Sequence, residues 1–337
     1  MARIAYFVHG RGRGHAVRSR AVLARLDAEG HQVQLYGGGA SVSLLGDRPD
    51  FTAVPMTAPG PGLLPALAAR LPADLRRLRA FRPAVVVSDS DLSSVHAALL
   101  LGIPSIAIGH GLVFGHAVLP PWLPRSGVWR ETINSGSSSW PAWRVVVVHF
   151  AEVPLRGRRA VLARPDLRDG LAPSTGDDGF ILAYFRDDNG GPLLERLLRR
   201  GERVVCFTRG PVPPGVDARP PSAEAFARAL TRCRAVVASA GNHLPAECAM
   251  VGKPLLGVHA PGDVEQAMNA ALLAEAGLGM ASPLDAVDDR LLDRFFEETL
   301  PRPGAADRVR RLPPASEVVA GLVAERATEA SGSGAPR

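Results

Sequence analysis

Short apolar runs alternate with helical periodicities along this chain, and the alternation runs through twice. Ile4-Ala5-Tyr6-Phe7-Val8, within residues 3–9, is short and apolar enough for a buried strand. The turn His9-Gly10-Arg11-Gly12-Arg13-Gly14-His15 follows, and Val17, Ala21, Leu23 and Leu26 then recur at helical spacing up to Ala28. Gly30 stops that helix, and His31 to Tyr36 alternates as a second strand. Phe51 to Val54 predicts a third strand, residues 63–80 an amphipathic helix, and Pro83 to Asp89 a buried strand ending in an acid. A helix from Asp91 to Leu101 and a strand from Pro104 to His110 come next, and Arg144 to His149 closes this half.

Residues 111–143 break the rhythm. They hold all four tryptophans, Trp122, Trp129, Trp140 and Trp143, with Pro120-Pro121, Pro124 and a Gly-Ser stretch at 135–139. Irregular chain of this length reads as a lid or binding loop, or else as a covering helix with its tryptophans in the core. Residues 151–178, punctuated by Pro154, Pro165 and Pro173, read as a linker. The alternation then restarts with strand 179–185, helix 191–200, strand 203–208, helix 222–232 and strand 234–239. Strand 254–258 and helices over 263–276, 288–299 and 315–328 complete it.

Two βα series of similar size predict an α/β fold of two doubly wound, Rossmann-like domains facing across a cleft. The expected division is a domain over 1–150, the linker 151–178, and a second domain over 179–329 whose last helix is placed to pack back on the first. A small, polar tail over 330–337 is expected to be disordered.

Composition narrows the partners. With 337 residues, 46% of them hydrophobic and 21% charged, the chain is globular and too long for one ordinary core. A net charge of +6 raises nucleic acid, but Lys253 is the only lysine and the arginines are scattered among acids. With aromatics at 5%, the footprint of a nucleic-acid binder is missing. Cys206, Cys233 and Cys248 have no metal-ligand spacing and are odd in number, which favours a reducing cytoplasm. No signal peptide and no apolar run of membrane-spanning length is read, leaving peripheral membrane contact open.

The most informative stretch is Val236 to Glu247: a buried strand, the small turn Ser239-Ala240-Gly241, then Asn242, His243 and a helix carrying Glu247. A strand that enters a helix through small residues leaves backbone N–H groups free at the helix start, where they and the helix dipole favour an anion such as phosphate. A second strand-to-helix junction, with Asp263, Glu265 and Gln266, follows directly. The opening turn, by contrast, lacks the G-x-G-x-x-G spacing and the acid that a dinucleotide site needs.

Taken in order, these residues resemble the GT-B-fold glycosyltransferases, near the UDP-glycosyltransferases and the N-acetylglucosaminyltransferase that makes lipid II. Gly12-x-Gly14-His15-x-x-Arg18 is similar to the opening of a bacterial and archaeal branch. Gly241 and Glu247, Gly252-Lys253-Pro254, Glu265-Gln266-x-x-Asn269-Ala270, and Gly277 with Gly279 resemble the donor signature, so that the likeness covers about residues 3–300. The resemblance implies an acceptor-binding first domain and a nucleotide-sugar-binding second one. It implies that Glu247 accepts from ribose hydroxyls, that Glu265 and Gln266 read the transferred sugar, and that Gly14, Ala240, Gly241, Asn242 and His243 line the diphosphate. Where the plant-like enzymes have a phosphate-binding histidine this chain has Ser239, and Arg186, Thr208 and Arg209 at strand ends are candidates to compensate.

Sugar transfer needs a base for the acceptor hydroxyl, and histidine, with an ordinary pKa near neutrality, suits that work. His15 on the first turn is the expected base, with Asp89 or Asp91 orienting it in the manner of a His-Asp pair; His9 and His110 are rivals. His110, Trp122, Trp129 and Trp140 are the expected acceptor contacts. The implied reaction is inverting and metal-independent, with a UDP- or dTDP-linked sugar as co-substrate and no other cofactor. A nucleotide-sugar 2-epimerase on the same fold, or a non-catalytic nucleotide-sugar-binding protein, are the alternatives.

Overall fold

The computed structural model describes residues 1–11, 13–57, 63–168, 170–174, 176–298 and 300–332. Gly12 of the opening motif and residues 333–337 of the expected tail lie outside them.

The first half runs β1 (Arg3–Val8), α1 (Arg13–Ala28), β2 (Gln32–Gly37), α2 (Val42–Leu45), β3 (Phe51–Ala53), α3 (Leu63–Phe81), β4 (Val85–Asp89), α4 (Leu92–Leu100) and β5 (Ser105–Gly109). It continues through α5 (Val113–His116), α6 (Arg125–Ser137), β6 (Arg144–Val148) and β7 (Ala160–Ala163). The second half runs β8 (Phe180–Tyr184), α7 (Gly191–Arg199), β9 (Arg203–Phe207), β10 (Asp217–Arg219), α8 (Ala223–Arg232), β11 (Ala235–Ser239), α9 (Leu244–Val251), β12 (Leu255–His259), α10 (Val264–Glu275) and β13 (Met280–Pro283). Helices α11 (Asp289–Glu297), α12 (Ala305–Arg311) and α13 (Ala315–Gly332) end it.

Two all-parallel sheets result, ordered β3-β2-β1-β4-β5-β6-β7 and β10-β9-β8-β11-β12-β13. Parallel strands covered by helices on both faces are apolar throughout, which is why β4, β5 and β6 read so plainly as strands. In the first sheet Ile4, Tyr6, Val87, Ile108 and Val146 face α1 and α13, whereas Phe7 and Val86 face α3 and α4. In the second, Ile181, Val204 and Val237 face α7 and α11. The opposite face carries Leu182, Val205 and Val236 toward α8, α9 and α12, and this cluster is continuous with Val145 and Val147 of the first sheet.

Two boundaries differ from the sequence reading. The stretch expected as a linker from residue 151 contributes β7, whose Ala160–Ala163 pairs in register with Val145–Val148. The first sheet therefore extends past residue 150 and the connection begins after it. The last helix runs beyond the expected 328 to Gly332, and Ala315, Val319, Ala320 and Val323 seat it on the first domain. Arg164 N–H donates to Pro313 O at 2.9 Å and Ala315 N–H to Arg164 O at 3.0 Å, so the outgoing and returning crossings of the chain are tied together.

Candidate functional site

Each sheet reverses its strand order once, at β1/β4 in the first and at β8/β11 in the second. Ligands of doubly wound folds bind outside the carboxyl ends of the strands at that reversal. The first reversal presents His15 and Asp89, and the second presents Arg186 and Ser239.

On the first side, α1 leaves β1 and brings its first turn against the end of β4. His15 Nδ1 lies 2.7 Å from Asp89 Oδ1. Asp89 is fully buried and clamped from two more directions: Arg18 donates from Nε at 2.9 Å to Oδ2 and from Nη2 to Oδ1, and Ser19 Oγ donates to Oδ2 at 3.0 Å. Burial alone would raise the pKa of this carboxyl, but Arg18 and His15 outweigh it and bring it down to about 2. The carboxylate thus stays ionised and takes the Nδ1 proton in a hydrogen bond, leaving the Nε2 lone pair of His15 as the basic atom. Nε2 has no partner among the described residues, and the side chain is 26% exposed.

The two acids proposed as partners for His15 separate cleanly. Asp91 points away: its Oδ1 caps α4 by accepting from Ser94 N–H at 2.9 Å, and its Oδ2 pairs with buried Arg70 at 3.2 Å. It holds the fold and does not touch the imidazole. The rival bases are also placed differently. His9 is buried beside His15, ring centroids 5.5 Å apart, and burial lowers its pKa. Burial likewise brings His110 down to about 4, so it is neutral at pH 7. Its Nδ1–H donates to Val148 O at 3.2 Å, and its buried Nε2 lies 3.7 Å from Glu265 Oε1 on the other domain.

On the second side, Glu247 is 1% exposed on α9. Its Oε1 accepts from Arg168 Nε at 2.7 Å, while its buried Oε2 has no hydrogen-bond partner. Arg168, in the stretch read as linker, was missed from the sequence. Its guanidinium also lies over the Phe226 ring at 4.5 Å. At the start of α9 the N–H of Gly241 donates to Ser239 O at 2.7 Å and that of Ala240 to Val258 O at 2.8 Å. Both are thereby removed from the anion-binding set. The N–H groups of Asn242, His243 and Leu244 have no acceptor among the described residues and are the ones available. The His243 side chain caps nothing, and burial lowers its pKa to about 3, so it is neutral at pH 7.

Ser239 fills its position by a different route from a histidine. Its Oγ accepts from Arg186 N–H at 3.1 Å, which draws the loop after β8 over the turn, and Arg186 Nη2 reaches Asp263 Oδ2 at 2.6 Å. Asp263 caps α10, accepting from Gln266 N–H and from Gln266 Nε2, both at 3.0 Å. Gln266 is thus held by the cap, while Glu265, its pKa raised by burial and by Asp263, faces His110. Thr208 Oγ1 donates to Asp188 at 2.6 Å and accepts from Gly210 N–H, while Arg209 is exposed at the end of β9. Gly14 is exposed one residue before His15, with open space where a side chain would stand.

The tryptophan segment folds into α5 and α6. Trp122, Trp129 and Trp140 are 51%, 68% and 53% exposed, so they are not core, whereas Trp143 packs on the first-sheet cluster. The inner face of α6 meets α10: a Cβ on Gly127 would come within 2.3 Å of Val264 Cγ2. Nearby, Asn242 Nδ2 donates to Val148 O at 3.0 Å and crosses the seam.

The sequence profile of glycosyl transferase family 1 matches residues 2–56 and 64–301. The chain belongs to that family. The transferase is 28% identical to the UDP-N-acetylglucosamine--N-acetylmuramyl-(pentapeptide) pyrophosphoryl-undecaprenol N-acetylglucosamine transferase of Methylobacterium sp. (strain 4-46), over 94% of this chain and 95% of that one. Its fold is similar to that of MurG from Acinetobacter baumannii, with a TM-score of 0.67 at 17% identity, covering 96% of this chain and all of that one. It is also similar to the glycotransferase of kitacinnamycin, with a TM-score of 0.68 at 18% identity over 96% and 99% of the two chains. A third similar fold is that of the glycosyltransferase VinC in complex with dTDP, with a TM-score of 0.63 at 17% identity over 97% and 100%. The GT-B architecture and the glycosyltransferase assignment are thereby shown. Among the described residues, no helix of the transferase is long and apolar enough to cross a membrane.

Proposed function

We propose that the transferase moves a sugar, with inversion and without a metal ion, from a UDP- or dTDP-linked donor to a hydroxyl of a small natural-product-like or lipid-like acceptor. The observation that carries this reading is the imidazole of His15, held by a buried, ionised Asp89 and facing a second domain whose Glu247 keeps an unpartnered oxygen. His15 Nε2 takes the acceptor's hydroxyl proton as that oxygen bonds to the anomeric carbon. The bond from that carbon to the diphosphate oxygen breaks on the opposite face, and the leaving group carries away the negative charge. The N–H groups of Asn242, His243 and Leu244, with the Arg186 guanidinium, meet that charge. Asp89 remains a carboxylate and stabilises the imidazolium.

The Methylobacterium relative carries UDP-N-acetylglucosamine in its name, and the VinC structure holds dTDP, which supports both donor types. The test is incubation of the purified chain with UDP- and dTDP-hexoses and a panel of hydroxylated aglycones, with product mass and anomeric configuration read out. Acceptor-dependent release of nucleotide diphosphate, with inversion and undiminished by EDTA, is expected. Epimerised donor formed without acceptor overturns the transfer reading, and loss of activity in EDTA overturns its metal-free part.

A further inference from the structure

A free carboxylate has two oxygens and can hold both hydroxyls of a ribose. Glu247 is not free in that sense. Arg168 Nε donates to Oε1 at 2.7 Å, and the same guanidinium is fixed on its flat side by the Phe226 ring at 4.5 Å. Phe226 is in turn seated by Phe207 and Tyr184, with ring centroids 5.2 and 6.1 Å away. The arginine therefore has two anchors, one ionic and one aromatic, and its positive charge is held on Oε1. Oε2 is buried and unpartnered, a condition that buried acceptors avoid unless a ligand or water completes them.

We propose that Arg168 makes Glu247 a reader of one ribose hydroxyl rather than two, so that the nucleotide site takes ribose and 2′-deoxyribose diphosphates alike. This rests on the donor-site reading of Glu247 given above. Oε2 accepts the 3′ hydroxyl, which both sugars carry. The second hydroxyl of a ribonucleotide meets an Oε1 whose charge Arg168 already neutralises, so it gains little there. Arg168 acts through Glu247 and is a positioning residue. Because it belongs to the connection between the domains, the seating of that connection sets which nucleotides bind.

The test is calorimetric titration of the full chain with UDP and with 2′-deoxy-UDP, which differ only in the hydroxyl at issue. In the unaltered protein the two dissociation constants are expected within about threefold, since no charged acceptor distinguishes them. In Arg168→Leu, Oε1 is released and preference for UDP should open to roughly tenfold or more, the effect of one added hydrogen bond to a charged group. Arg168→Gln keeps an amide donor for Oε1 and should hold the ratio near one, which a merely structural role for Arg168 does not require. Glu247→Gln should weaken both nucleotides alike. A preference for UDP above tenfold in the unaltered protein, or a folded Arg168→Leu with an unchanged ratio, overturns the proposal. Failure of either nucleotide to bind the unaltered protein overturns the donor-site reading itself, a separate and recognisable result.

Discussion

His15 Nδ1 and Asp89 Oδ1 are 2.7 Å apart although 74 residues separate them in the chain, and Arg18, one helical turn beyond His15, clamps the same carboxylate. The arrangement fixes the imidazole's tautomer and keeps Asp89 ionised down to about pH 2. His15→Ala should lower kcat by about 10²–10⁴, the worth of a well-placed base, and leave nucleotide affinity unchanged. Single-turnover kinetics with donor and acceptor saturating checks this. An unchanged kcat would remove His15 from the chemistry.

Asp89 and Asp91 stand two residues apart and should behave oppositely in one respect. Asp89→Asn leaves Arg18 buried without a counter-charge and disturbs the base, so both kcat and stability should fall, the latter by about 3–5 kcal/mol. Asp91→Ala removes the α4 cap and one of two carboxylates on Arg70, which keeps Asp74 at 2.8 Å, so stability should fall by only about 1–2 kcal/mol and kcat measured below the melting temperature should stay within a few-fold of normal. Urea melts paired with initial rates separate the two outcomes.

The Gly127–Val264 contact couples the tryptophan-bearing α6 to α10. Gly127→Leu should force α6 and α10 apart, because Val264 Cγ2 already lies where a Cβ would go. Glu265 sits one residue beyond Val264, so KM for the donor should rise about tenfold or more through the misplaced sugar contacts, with the secondary structure content intact. Circular dichroism and donor KM values check it.

Acid should weaken this protein early. Burial depresses His110 to about 4 and His149 to about 3, whereas both titrate near 6.5 once unfolded. The unfolded chain then binds more protons than the native one below about pH 6.5, so their contribution is complete above that pH and is lost as pH falls toward 4. Each contributes up to about 1.4 kcal/mol per pH unit within that window. A fall in Tm between pH 7 and 5, blunted in His110→Asn, is the expected result.

Legibility in the sequence tracked burial. Val85-Val86-Val87 and Val145-Val146-Val147-Val148 announce themselves as strands because both of their faces are covered. Strands β7, β10 and β13, three or four residues at sheet edges with β10 wholly exposed, are too short for a period to show and were passed over. Among site residues, His15 and Asp89 were readable because strand ends are where doubly wound folds put chemistry. Arg18's hold on Asp89 depends on how α1 packs, and Arg168 meets Glu247 across 79 residues of chain, so neither pairing leaves a local signal. The free N–H set was misjudged at Gly241 because its turn folds back on Ser239, a matter of backbone torsion that small residues permit but do not spell out.

The backbone bonds joining Arg164 to Pro313 and Ala315 have a mechanical meaning. A pair of domains joined by one strand of chain can twist, slide and bend independently. Here the two crossings are stitched together at one spot, so sliding one crossing past the other would break backbone hydrogen bonds. Arg168 lies four residues along the chain from Arg164, next to that stitch. On the proposed reading of Glu247, the nucleotide contact made through Arg168 is thereby tied to the join between the domains.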